Sequence, residues 1–157
     1  VRLDGWCGDS AITIAVGRIA QDVERLLTVT REMLELAIQA IRPKMWWSEI
    51  AGRMQAHAET AGFSVVREFV GHGIGREMHE EPKIPNYVDP REKRMDFLLS
   101  EGMTLAIEPM VNMGTANVMY EDRSGWPVVT ADGRYAAHFE HTVAVTARGA
   151  DVLTDGR

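Results

Sequence analysis

The segment Gly102-Met-Thr-Leu-Ala-Ile-Glu-Pro-Met-Val111 decides how this 157-residue chain is read. Apolar residues flank Glu108 on both sides, and Pro109 follows it directly. The run from Met103 to Val111 reads as a buried β-strand ended by its proline, because proline offers no ladder donor and fixes φ. An ionised carboxylate inside such a strand is costly to bury unless a cation or a hydrogen-bond donor compensates it. Glu108 thus asks for a partner that the apolar pattern around it does not supply.

Two other carboxylates raise the same question. Glu140 lies in AAHFEHTVAVT, where strand alternation points Phe139, His141, Val143 and Val145 one way and Glu140, Thr142 and Ala144 the other. Asp9 follows Gly5-Trp6-Cys7-Gly8 and opens an apolar strand. Each has a plain structural reading as well: Asp9 can finish a turn, and Glu140 can sit on a solvated strand face.

The stretch GHGIGREMHEEPKIPNY, Gly71–Tyr87, adds His72 and His79, two of only five histidines. It reads as a polar, proline-broken loop running on through Pro90. Its spacing is GxGxG rather than GxGxxG and it lacks a P-loop lysine, so it is a weak match to a phosphate cradle. The glycines around His72 read instead as letting the backbone turn tightly and aim the imidazole inward. A lone histidine is more often a satisfied loop residue than a ligand. One histidine with three misplaced carboxylates, however, is the ligand set of a hard-to-borderline divalent ion. Cysteine takes no part, which argues against structural zinc.

Composition bounds the rest. Apolar residues make up 45% and charged residues 25% of the chain, as in ordinary globular proteins. The net charge of −6 and the lack of a lysine/arginine run argue against nucleic-acid binding through a basic patch. A single cysteine, Cys7, cannot form an internal disulfide, which suits a reduced, cytoplasmic setting. No apolar run approaches a membrane span, and the first residues resemble neither a signal nor a transit peptide. The chain starts without methionine in the middle of a strand-turn-strand pattern, so it is expected to be the later part of something longer.

The pattern predicts a strand over Ala11–Val16, an amphipathic helix from about Ile19 to Ile41 stopped by Pro43, and a second helix N-capped by Ser48 and closed at Gly62. Strands are expected at Phe63–Val70, Trp126–Thr130, Tyr135–Thr146 and Asp151–Leu153, with turns at Ser100-Glu101-Gly102, Ala131-Asp132-Gly133 and Arg148-Gly149. The fold class is α/β (α+β): one domain over residues 1–157 with two helices on a mostly antiparallel sheet.

In order along the chain, DGWCGDSA, GHGIGREMHEEPKIPNY, GMTLAIEPMV and FEHTVAVT resemble type I methionine aminopeptidases of the bacterial and organellar kind. The resemblance implies the pita-bread fold, a pseudo-symmetric domain with a dinuclear metal centre in its sheet, here as the C-terminal portion of the catalytic domain. It implies a hydrolase that removes initiator methionine from nascent polypeptides with a small second residue. On that pattern Asp9 and Glu140 bridge two metals, His72 is a terminal ligand, and Glu108 is a ligand and general base. His79 contacts the substrate and stabilises the tetrahedral intermediate, while Met78 and Trp126 edge the methionine pocket. The implied cofactors are two divalent ions (cobalt, manganese, iron or zinc). The implied partners are nascent N-termini and the ribosome, with no nucleic acid bound directly, no membrane, and a monomeric complete protein.

This sequence departs from the pattern in three places. The family's first metal-binding aspartate would fall just before Val1, so one site (Asp9, His72, Glu108, Glu140) is complete and the second lacks its terminal carboxylate. Exposed sheet edges and apolar surface, with poor solubility or association, are expected alongside. Met78 stands where many relatives have an aromatic residue, and His138 where glutamine is usual; both can retune the pocket or the surroundings of the ligands. Xaa-Pro aminopeptidases and prolidases are the neighbouring alternative. They tend to carry a histidine just upstream of GHGIG and a glycine after the EP, where this chain has Arg67-Glu68-Phe69-Val70 and Met110. A non-catalytic binding module of the same fold would be expected to have substituted ligands.

Overall fold

The computed structural model describes residues 1–89, 91 and 96–156. The strands are β1 (Arg2–Leu3), β2 (Trp6–Cys7) and β3 (Ser10–Ala11), followed by the helices α1 (Gln21–Ala40) and α2 (Trp47–Thr60). Then come β4 (Ser64–Val65), β5 (Gly71–Gly73), β6 (Glu80–Ile84), β7 (Thr104–Ile107), β8 (Met110–Asn112) and β9 (Val118–Tyr120). The chain continues with β10 (Val128–Thr130), β11 (Ala136–His138), β12 (Glu140–Thr146) and β13 (Gly149–Val152).

A six-stranded sheet runs in the order β13-β12-β7-β5-β6, with β3 added to β12, and a three-stranded sheet runs β11-β8-β4. The pairings are antiparallel, as the alternating pattern predicts. This is the antiparallel sheet with two helices packed on it that the sequence pattern predicts. Leu26, Met33, Ala37 and Ile41 from α1 meet Trp47, Ile50, Met54 and Ala58 from α2, and both sets join Leu105, Ile107, Val111, Val143 and Val145 of the sheets. Burying a large aliphatic side chain contributes roughly 1.5–3 kcal/mol, so this layer holds the sheets in place.

Two strands expected to run unbroken are each divided. The Met103–Val111 run splits into β7 and β8 at Glu108-Pro109, and the Tyr135–Thr146 run splits into β11 and β12 at Phe139. The halves belong to different sheets: β7 pairs with β12 and β8 with β11. Both segments therefore leave one sheet and enter the other at the same level, where the Phe139 amide donates to the Pro109 carbonyl at 3.4 Å. Missing the proline amide, the ladder cannot continue, and the corner falls where Glu108 and Glu140 stand.

Other expectations are corrected. The Gly71–Tyr87 stretch is not a loop throughout, since it contributes β5 and β6 to the large sheet; its expected end at Pro90 lies outside the described residues. The Ala11–Val16 strand shortens to β3, whose ladder partner among the described residues is the end of β12. Beyond it Ile12, Ile14 and Val16 are exposed, as are Val1 and Leu3. Phe63–Val70 shortens to β4. Ser48 is not the N-cap of α2; Trp46 holds that position, and Asp96 accepts from the Ser48 amide and hydroxyl at 3.0 and 2.6 Å. The cap thus arrives from 48 residues away, which no local motif announces. Gly62 does close α2, at φ +85°. Among the described residues no helix is long and apolar enough to cross a membrane.

Candidate metal centre

Three residues far apart in sequence converge at the corner. Ligand atoms of Asp9, His72 and Glu140 all lie within 4.8 Å of one another. Asp9 leads into β3, His72 is the middle residue of β5, and Glu140 begins β12. Glu108 joins from the β7–β8 break, with Oε1 3.5 Å from His72 Nε2, although it falls outside the tight three-residue group. His79 is exposed, and its ring centroid is 4.4 Å from that of His72.

The glycines of β5 serve a different purpose from the tight turn expected of them. None of Gly71, Gly73 and Gly75 has a positive φ. A Cβ on Gly71 would meet the Ala106 carbonyl oxygen at 2.3 Å, and one on Gly73 the Glu81 carbonyl oxygen at 2.3 Å. Bare backbone at these positions lets β6 and β7 close on β5 and brings His72 down between them. Gly71→Ala should therefore destabilise the fold by about 3 kcal/mol through backbone overpacking. Urea unfolding would show it, and an unchanged midpoint would contradict the argument.

Hydrogen bonds orient the His72 ring and hold the backbones of Asp9 and Glu108. His72 Nδ1 lies 2.8 Å from the Gly73 carbonyl, so Nδ1 carries the hydrogen and the Nε2 lone pair points into the site. Thr142 clasps the Asp9 backbone both ways: its hydroxyl donates to the Asp9 carbonyl and accepts from the Asp9 amide, each at 2.8 Å. Asn86, fully buried, donates to the Glu108 carbonyl at 3.1 Å. Thr13 clasps the His138 backbone in the same two-way fashion, at 2.7 and 2.9 Å. Sequence reasoning assigned no such role to Thr142, Asn86 or Thr13; their partners lie 22 to 133 residues away.

The electrostatics call for a cation. Glu140 is only 5% exposed, and its Oε1 has no hydrogen-bond partner. Burial, then the nearby charges of Glu108 and Asp9, push its carboxyl up to about 7. The His72 lone pair faces Glu108 Oε1, so two acceptors point at each other. A divalent ion beside Asp9, His72 and Glu140 would give these groups a partner, and the chemistry of the donors fits such an ion.

The Glu140 shift has a sign that can be measured. The folded carboxyl keeps its proton to a higher pH than the unfolded one, so its contribution is complete below about 4.5 and is lost as pH rises to about 7. In chelator, the fold should weaken over that range by up to about 3 kcal/mol. Urea unfolding at both ends of the window checks this, and Glu140→Gln should remove the Glu140 share.

Of the two residues expected to edge the pocket, Trp126 is 84% exposed. It edges a cleft of about 530 Å³ shared with Thr13, Phe69, Met110, Asn112 and His138. Met78 is half-buried beside His79.

The corner gathers three carboxylates and an imidazole, a donor set suited to a divalent metal ion, and the comparisons identify the class as a metallopeptidase. The profile of metallopeptidase family M24 matches residues 1–147, and the chain belongs to that family. Its relatives narrow the class. Over 153 residues it is 47% identical to methionine aminopeptidase 1 of Bacillus subtilis, covering 98% of this chain and 60% of that protein. The crystal structure of methionine aminopeptidase from Thermotoga maritima superimposes with a TM-score of 0.89 at 46% identity, over 96% of this chain and 59% of that one. Prolidase from Pyrococcus furiosus shares the fold, with a TM-score of 0.73 at 24% identity over 98% of this chain and 39% of that one. The chain spans about 60% of the length of the curated relatives it matches.

Proposed function

We propose that residues 1–157 carry the catalytic metal centre of a methionine aminopeptidase, acting on polypeptide N-termini whose second residue is small. The observation that carries this is the convergence of Asp9, His72 and Glu140 within 4.8 Å beside Glu108. In this reading Asp9, His72, Glu108 and Glu140 hold a divalent ion: cobalt, manganese, iron or zinc. Asp9 and Glu140 would also help to hold a second divalent ion. Bound there, a divalent cation supplies Lewis acidity toward the scissile carbonyl and lowers the pKa of water.

The chain's own residues do the rest. Glu108 accepts the proton of the attacking water, as a carboxylate within reach of the site can. His79, exposed beside His72, donates a hydrogen bond to the oxyanion that develops on the carbonyl. Met78 and Trp126 edge the pocket for the methionine side chain, so specificity comes from apolar contact. Nascent chains in the cytoplasm are the substrates, with the ribosome as a docking partner and the complete protein a monomer.

The test is methionine release from Met-Ala-Ser with cobalt or manganese, run beside an Ala-Pro peptide. The proposal expects release from the first alone. Cleavage of Ala-Pro would favour a prolidase, and metal uptake with no cleavage of either would favour a binding module.

A further inference from the structure

Glu108 lies between two imidazoles. Its Oε1 is 3.5 Å from His72 Nε2, and its Oε2 is 3.5 Å from His138 Nε2. That second nitrogen is buried and has no hydrogen-bond partner among the described residues. An unsatisfied buried polar group is costly, so its placement against a carboxylate oxygen asks for a reason. The His138 backbone is also more tightly held than a surface residue needs. Thr13 clasps it at both amide and carbonyl, and β11 fixes it opposite Met110, two residues past Glu108. His138 also lines the apolar cleft.

We propose that His138 is a positioning residue of the metal centre: its Nε2–H donates to Glu108 Oε2 and turns Oε1 toward His72. The inference rests on the metal-centre reading above. His138 meets the oxygen of Glu108 that His72 does not, and it stands outside the Asp9–His72–Glu140 group, so it acts through the carboxylate and not as a ligand. The 3.5 Å separation is longer than a made N–H···O bond of about 2.7–3.2 Å, and a small side-chain rotation closes it. Held at Oε2, Glu108 presents one defined oxygen to the site; released, it can swing toward the cleft. Partners of this kind typically change metal affinity 10–100-fold.

The test compares cobalt affinity by calorimetry, and the visible absorption of the cobalt form, in the wild type, His138→Gln and His138→Leu. A glutamine amide can still donate to Oε2, whereas leucine cannot. His138→Leu should bind cobalt about 10–100-fold more weakly, with His138→Gln near the wild-type value and the absorption bands unmoved in both. Thermal unfolding of the metal-free proteins confirms that each is folded; should His138→Leu fail to fold, His138→Ser gives the same comparison. Wild-type affinity in the leucine or serine variant overturns the proposal. So does a glutamine variant as weak as leucine with shifted bands, which would make His138 a direct ligand. A wild type that takes up no cobalt would instead overturn the metal-centre reading itself, which separates the two failures.

Discussion

Replacing Glu140 with glutamine is expected to stabilise the metal-free protein at pH 8 while removing its affinity for divalent ions by more than about 100-fold. The two effects have one origin. Glu140 is buried, its Oε1 is unpartnered, and the charges of Glu108 and Asp9 add to the cost of ionising it. At pH 8, above the value of about 7 to which its carboxyl is pushed, the folded protein carries that cost in full. Glutamine keeps the shape without the charge, so up to about 3 kcal/mol should be recovered, or roughly 5–10 °C in Tm for a chain of this size. The same change takes a carboxylate from the ligand set, and losing a direct ligand exceeds the 10–100-fold typical of an outer partner. Differential scanning calorimetry in chelator, followed by cobalt titration, reads both halves. A destabilised variant, or one that still binds cobalt tightly, would contradict the assignment. Stability given up for a site is the signature of a functional cluster.

Glu108→Gln should cost 10²- to 10⁴-fold in kcat, the usual contribution of a general base, with a smaller effect on KM. The amide preserves the side-chain volume at the β7–β8 break, and the backbone stays anchored by Asn86, so the corner should survive. What disappears is the ability to take a proton from water. Steady-state kinetics on Met-Ala-Ser at saturating metal decides it. A kcat within tenfold of wild type, with metal still bound, would remove Glu108 from the base role and leave it as a ligand alone.

The sequence announced the chemistry more clearly than the architecture. Glu108, Glu140 and Asp9 were legible as misplaced acids because their apolar neighbours are local facts, and the structure brings two of them to His72 within one small volume. The helices were legible for a similar reason: periodicity is local, and α1 falls two residues inside the expected start and one inside the expected end. The sheet corner was not. Whether LAIEPMV and AAHFEHTVAV run straight or switch sheets depends on β4, β5 and β12 packing alongside, and those partners come from distant positions. The glycines of β5 misled for the same reason, because their use depends on the carbonyls of Ala106 and Glu81 and not on their own dihedrals. The clasps by Thr13 and Thr142 and the Asp96 cap are likewise long-range and leave no local pattern.

The central claim is that the corner holds a divalent ion, and anomalous diffraction from crystals soaked in manganese tests it most directly. The account predicts an anomalous peak within coordination distance of Asp9, His72 and Glu140, with Glu108 Oε1 turned toward it. Crystals that show manganese elsewhere, or none at this corner while the four side chains remain ordered, would contradict it.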